Sequence, residues 1–427
     1  MNKILIKKGT ICTHDKTFFN KDIYIEEGII KEIGTNLHKE EAQIIDASGL
    51  TIVPGFIDLH CNLNDPGYDN KETLYTAGMS AIHGGFTTIT TNPNTHPTID
   101  NKAIVEYVLA KSKAECPTNV ALYGSLTVGC KGERIAEIGE MYLAGIKAVS
   151  DGDLAIQDTG LMRNLMIYSS MFDLPIITHC ENTLISNQNM LNEGKISAYL
   201  GLLGSPISAE TIHLMRNILL AEEYNVRLHI AHVSTAKSVE IIKMFKKQGV
   251  RITCETSPQY FTLCEEAAVG YNTFVKVNPP LRTEEDVKAI IKGLQEGIID
   301  AISSDHNPDT IDSKEVEFEL ASYGISGFET AFPVSYTYLV EQGHLSLEQL
   351  IEKMAFKPAQ ILSLAKGRIQ EGLAADLFIF DPNADYIVKA ADFKSKARYS
   401  PYDGLALNGV IRYTIVNGKV YDMNGQV

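Results

Sequence analysis

Through its middle the chain alternates short apolar runs with helix-period stretches eight times, and this repetition constrains the fold more than any other feature. The runs are residues 56–60, 87–91, 121–125, 145–149, 175–178, 227–231, 251–255 and 300–303. Helical periodicity fills the gaps, most clearly over residues 211–221. Alternating βα units read as a parallel sheet. Eight of them predict an α/β TIM (β/α)8 barrel spanning residues 55–365, in which chemistry belongs at the C-terminal strand ends. The flanks have another texture. Residues 1–54 and 366–427 carry short alternating strands, such as 3–7 and 22–26, with turns at Glu27-Gly28 and Asn417-Gly418. They predict one small β-sandwich domain built from both termini.

Composition excludes several classes. Lys+Arg 38 against Asp+Glu 53 gives a formal charge of −15, with no basic stripe for a nucleic acid or an anionic membrane. No apolar run approaches the roughly 18 residues of a membrane span. The seven cysteines, at 12, 61, 116, 130, 180, 254 and 264, are odd in number and form no C-x-x-C pair. The expectation is a reduced, cytoplasmic protein.

The strand ends carry the chemistry. Strand one ends in Asp58-Leu59-His60-Cys61-Asn62, strand five in His179-Cys180-Glu181, strand six in His232-Val233-Ser234, and strand eight in Ser304-Asp305-His306. Three imidazoles and a carboxylate at one barrel mouth suit zinc with an open position. Asp305 is placed to take a proton from the nucleophile and pass it to a leaving nitrogen. A lone strand-end histidine is more often a hydrogen-bonded loop residue than a ligand, but the four together are not readily coincidental. His229 lies one residue off the parity of His232 and is expected to face the helices. His14, His38, His96, His213 and His344 are expected at the surface.

At these residues the chain resembles the dihydroorotases of the amidohydrolase superfamily, of the bacterial type with a barrel and a small split β domain. The resemblance runs through Pro54-Gly55-Phe56-Ile57-Asp58-Leu59-His60, Lys71-Glu72-Thr73, Gly84-Gly85-Phe86-Thr87-Thr88 and Pro93-Asn94-Thr95. It continues through His179-Cys180-Glu181, His232-Val233-Ser234-Thr235, Asn278-Pro279-Pro280-Leu281-Arg282, Asp305-His306 and Gly327-Phe328-Glu329-Thr330. It implies hydrolysis of the cyclic amide of dihydroorotate, one or two zinc ions held by His60, His179, His232 and Asp305, substrate contacts from Asn94 and Asn278, and a homo-oligomer.

Several family positions depart from the pattern. The strand-one signature His-x-His-x-Arg is here His60, Asn62 and Asn64, and the metal-bridging Asp of Ser-Asp-Asp-Gly falls on Gly152, with Asp151 or Asp153 as substitutes. The carboxylate-binding His of the strand-eight loop is Asp309, and Pro-His-His of strand seven is Pro258-Gln259-Tyr260. An amide is a poor zinc ligand, and Asn64 cannot make the bidentate contact of an Arg. The site is therefore expected to be degenerate, to hold zero or one zinc rather than two, and to hydrolyse dihydroorotate weakly or not at all. The favoured expectation is a non-catalytic partner of aspartate carbamoyltransferase. The alternatives are an active mono-zinc dihydroorotase, or an amidohydrolase acting on a neutral or cationic cyclic amide.

Overall fold

The computed structural model describes residues 3–186 and 190–423. Eight strands pair in parallel in chain order: β1 (Phe56–Ile57), β2 (Phe86–Thr91), β3 (Asn119–Ser125), β4 (Ala148–Ser150), β5 (Ile176–Thr178), β6 (Leu228–Ile230), β7 (Ile252–Thr256) and β8 (Ala301–Ile302). A parallel bridge between Cys61 and His306, with Asn62 N donating to His306 O at 2.8 Å, joins the chain beyond β1 to the chain beyond β8 and closes the cylinder. The expected barrel is thus present.

The composition of the strands explains why they form. All six residues of β2, Phe-Thr-Thr-Ile-Thr-Thr, are buried, as a strand covered on both faces requires, and β-branched side chains suit the pleat. Small and medium apolar side chains, among them Leu59, Ala121, Ala148, Ile177, Ala231 and Ala301, fill the cylinder around Tyr123. The helices pack outside. Helix Ala236–Lys247 is capped by the Thr235 hydroxyl, ends in Lys246 and Lys247, and buries Val239, Ile241, Ile242 and Phe245.

The terminal segments form one further eight-stranded sheet. Strand Thr51–Pro54 pairs antiparallel with Leu377–Ile387, Ile52 opposite Ile379, so the two ends of the chain share hydrogen bonds. Ile4, Ile6, Ile23, Ile45, Ile52, Leu377 and Ile415 are among the residues of its core. Two hairpins turn through left-handed pairs, Glu27-Gly28 (φ 53° and 77°) and Asn417-Gly418 (47° and 76°), the conformation that matches strand twist. These turns touch: a Cβ on Gly28 would lie 2.5 Å from Asn417 O.

Candidate metal centre and active site

The exits of β1 and β8 are fastened together first. Asp58 accepts from Ser304 N (2.9 Å) and from the Ser304 hydroxyl. Burial pushes the Asp58 carboxyl up to about 7, against the pull of those Ser304 bonds. Two residues on, His60 turns its Nε2 toward Asp153 Oδ1 at 3.6 Å and Asn92 Nδ2 at 3.4 Å, and its Nδ1 toward Glu255 Oε1 at 3.8 Å. Burial works against a charged His60, but the hydrogen bond to Asp153 and the charges of Glu255 and Asp305 prevail and raise it to about 9.

His232 follows β6 in a left-handed conformation, φ 36°, which swings its ring into the mouth. Its centroid lies 4.7 Å from that of His60 and 4.8 Å from that of His179. Burial, then the neighbouring His60 and His179 charges, hold it well below the ordinary imidazole range. Among the described residues both of its ring nitrogens are buried without a hydrogen-bond partner, as are Nδ1 of His60 and Nδ1 of His179. Leaving a buried polar atom unpaired costs about 1–3 kcal/mol, so the unpaired nitrogens of His232 and His179 at the mouth mark a site built for a ligand, while His60 Nδ1 faces Glu255 instead. Ligand atoms of His60, Asp153 and His232 all lie within 4.8 Å of one another. Imidazole, imidazole and carboxylate form a donor set that suits a divalent cation such as zinc. The residues present therefore fit a metal.

The structure separates the two substitute carboxylates. Asp151 is 3 % exposed and committed elsewhere, accepting from Ser125 Oγ, Thr127 N and the Thr127 hydroxyl. Asp153 faces His60, because Gly152 turns the chain at φ 64°. The side chain of Asp153 is 43% exposed, and the hydrogen bond and charge of His60, with the His179 charge, hold its carboxyl below the ordinary carboxylate range.

The remaining sequence candidates are spread around this group. His179 Nε2 meets Glu181 Oε2 at 3.0 Å, and Asn278 Nδ2 donates to the same oxygen at 3.1 Å. Asp305, also left-handed (φ 51°), accepts from Gln259 Nε2 at 2.6 Å. Burial raises Asp305 to about 8 despite the opposing His60 charge, with Asp153, Glu255 and Asp58 adding to the rise. Asn62 accepts from Asn92 Nδ2 at 3.2 Å, and Asn64 donates to Pro308 O at 3.2 Å. Asn94 is exposed beside Gly152, whose Cβ position lies 3.4 Å from Asn94 Cγ. Asp309 is no free anion: it is paired with Lys71 Nζ at 2.8 Å and accepts from Thr310 N.

Two histidine expectations are corrected. His229 faces the barrel interior, its Nε2 3.4 Å from Glu255 Oε2. Parity counting fails because the left-handed His232 breaks the alternation after β6. His213 is 3 % exposed, with Nε2 3.0 Å from Ile156 O, because its helix, Ile207–Tyr224, turns that face to the barrel.

Glu255, Gln259 and Asn92 were given no role from sequence. Glu255 did leave a signal: an acid in the buried strand Ile252–Thr256 is rare without a partner.

With this geometry in place, relatives narrow the family. A Dihydro-orotase-like model matches residues 49–238, and an Amidohydrolase family model matches residues 280–421. The chain is 48% identical to a Dihydroorotase of Ruminiclostridium cellulolyticum over 418 residues, 97% of each chain, and 47% identical to a Dihydroorotase of Acetivibrio thermocellus over 98% of each. Among solved structures, an L-Hydantoinase (Dihydropyrimidinase) from Arthrobacter aurescens superposes with TM-score 0.91 at 29% identity, covering 100% of this chain and 97% of the other. The barrel, the imidazole cluster at its mouth and the near-full-length identity agree: this chain belongs to the dihydroorotase family of amidohydrolases.

Proposed function

We propose that this chain is a one-metal cyclic-amide hydrolase of the dihydroorotase type, serving pyrimidine synthesis, with slow turnover of dihydroorotate itself. The observation that carries the reading is the convergence of His60, Asp153 and His232 within 4.8 Å, while Asn62 and Gly152 withhold two donors from any second ion. An ion held by His60, Asp153 and His232, zinc by its donor set, would supply positive charge to polarise the amide carbonyl and make water a better nucleophile at neutral pH.

The chain's own residues do the rest. Water oxygen bonds to the carbonyl carbon, the ring C–N bond breaks, and the proton lost by water is delivered to the departing nitrogen. Asp305, buried at the mouth, would take that proton as a carboxylate and hold it between the two steps. Gln259 Nε2 fixes the Asp305 carboxyl by its 2.6 Å bond, a donor that must move or share when Asp305 is protonated on that oxygen. Asn94 and Asn278 are left to orient the substrate. Asn64 offers an amide where a guanidinium is needed, and the Lys71 charge is already spent on Asp309. Each lost charged hydrogen bond costs about 1.5–3 kcal/mol, roughly ten- to a hundredfold in rate.

Metal analysis of the purified protein, joined to dihydroorotate hydrolysis, tests the reading. One equivalent of bound metal and a rate far below that of a relative with His-x-His-x-Arg are expected; two equivalents, or none, sink it. A panel of hydantoins and neutral cyclic ureides run alongside identifies any substrate better suited to Asn64.

A second reading, a non-catalytic partner of aspartate carbamoyltransferase, is favoured by the same losses at Asn62, Asn64 and Gly152 in an otherwise intact scaffold. Co-elution of the two proteins, without any hydrolysis by the metal-loaded chain, is its expected signature. Size-exclusion chromatography of the chain alone tests the homo-oligomer that the family resemblance implies.

A further inference from the structure

The interior of the barrel below the mouth holds a polar chain that the reaction as described does not use. Glu255 sits on β7, wholly buried, between His229 on β6 and His60 just beyond β1. Its Oε2 accepts the Ser303 hydroxyl and lies 3.4 Å from His229 Nε2. The other ring nitrogen of His229, Nδ1, is 2.8 Å from Thr253 Oγ1. A threonine hydroxyl that donates there leaves Nε2 carrying the ring hydrogen, pointed at Glu255. That leaves Glu255 Oε1, which is buried and has no hydrogen-bond partner among the described residues. The same is true of His60 Nδ1, 3.8 Å away. Two buried, unpaired atoms of complementary type face each other at about 1 Å more than a hydrogen bond.

We infer that Glu255 is the positioning residue for His60: it takes the Nδ1 hydrogen and thereby fixes Nε2 as the atom offered to a metal. The Ser303 hydroxyl holds the other carboxylate oxygen from below, with His229 Nε2 3.4 Å from it and not hydrogen-bonded among the described residues, and Oε1 is left facing His60. The inference rests on the one-metal reading for its consequence, though not for its geometry. Carboxylate–imidazole pairs of this kind set the tautomer and ring orientation of a ligating histidine, and their loss costs ten- to a hundredfold in metal affinity. Glu255 is fully buried, so bulk solvent does not reach Oε1.

Two measurements on Glu255→Gln separate this inference from the reading beneath it. In the metal-free protein labelled with 15N-histidine, the wild type should show protected, downfield imidazole N–H signals from His60 Nδ1 and His229 Nε2. Both should move upfield in Glu255→Gln. Absence of the signals in the wild type, or their indifference to the substitution, overturns the inference whatever the metal does. In the second measurement cobalt(II) replaces zinc. The variant should bind it ten- to a hundredfold more weakly and with an altered visible spectrum, which loss of packing alone would not produce. Unchanged affinity and spectrum also overturn it. If the wild type takes up no metal, the one-metal reading falls and the NMR result alone decides the role of Glu255. Should Glu255→Gln fail to fold, Ser303→Ala frees the carboxylate from one side, and a smaller upfield shift of the same two signals is expected, its absence again overturning the inference.

Discussion

At the scale of single residues, the site is governed by which nitrogens are free to bind. Among the described residues His232 has both ring nitrogens buried and unpaired, and a bound cation would compensate one of them. His232→Ala should abolish divalent-metal uptake, measured by calorimetric titration, while leaving the barrel folded. His60 adds a pH dependence whose sign follows from its environment. Its imidazole is raised to about 9, with Asp153 and Glu255 outweighing the burial that opposes the charge. In the empty site it is therefore protonated at neutral pH, and a metal must displace that proton. Apparent affinity should rise about tenfold per pH unit from pH 6 to 8 and level off above about 9. A flat profile over that interval would show that His60 is not a ligand. The departures at the mouth make the opposite kind of test. Asn62→His, Asn64→Arg and Asp309→His together restore a ligand, a carboxylate fork and the freedom of Lys71. The triple variant should gain at least about a hundredfold in kcat/KM on dihydroorotate, at about 1.5–3 kcal/mol for each charged contact.

At the scale of elements, the loop after β8 carries Asp305 and is held against helix Phe328–Ser335 by close backbone contact. A Cβ on Gly327 would stand 2.2 Å from Ser304 O, and Ser304 is the residue that binds Asp58. Gly327→Ala must push that loop outward. We expect a loss of about 1–3 kcal/mol, read as a lower denaturation midpoint, and a fall in activity beyond what the stability loss explains, because Asp305 moves with the loop. The elements themselves were readable in the sequence. Short buried strands ending in His60, His179, His232 and Asp305 could be counted because burial on both faces leaves a run of apolar and β-branched residues. Contacts that depend on a local break in the strand rhythm could not be read. His229 and His232 cannot both be placed by alternation when φ at His232 is 36°. Asp151 and Asp153 are indistinguishable until the turn at Gly152 sends one to Thr127 and the other to His60. The Lys71–Asp309 pair joins residues 238 apart in the chain, and no spacing rule reaches that far.

At the scale of the whole molecule, the barrel and the sheet from the two termini share a core. Phe378 belongs to the terminal sheet, yet its ring stands 4.8 Å from Phe56 on β1 and 5.1 Å from Phe332 in helix Phe328–Ser335, edge-on in both cases. Phe380 meets Phe332 at 5.0 Å in the same way. Edge-to-face rings at these separations add about 0.5–1.5 kcal/mol per pair beyond the area they bury. Phe378 is fully buried and sits directly behind the strand that delivers Asp58 and His60. Phe378→Ala should therefore cost about 3–5 kcal/mol. Where it is felt distinguishes two pictures of the molecule. If the terminal sheet were an independent domain, the variant would melt in two steps, the sheet first, with the metal site intact through that first step. Because the cluster spans both parts, we expect a single calorimetric transition in wild type and variant alike, shifted down in the variant. Metal release, followed by a chromogenic chelator, should coincide with that transition, since the same ring packs against the strand that carries the His60 ligand. An early step that leaves the metal bound would uncouple the two parts and contradict the shared core.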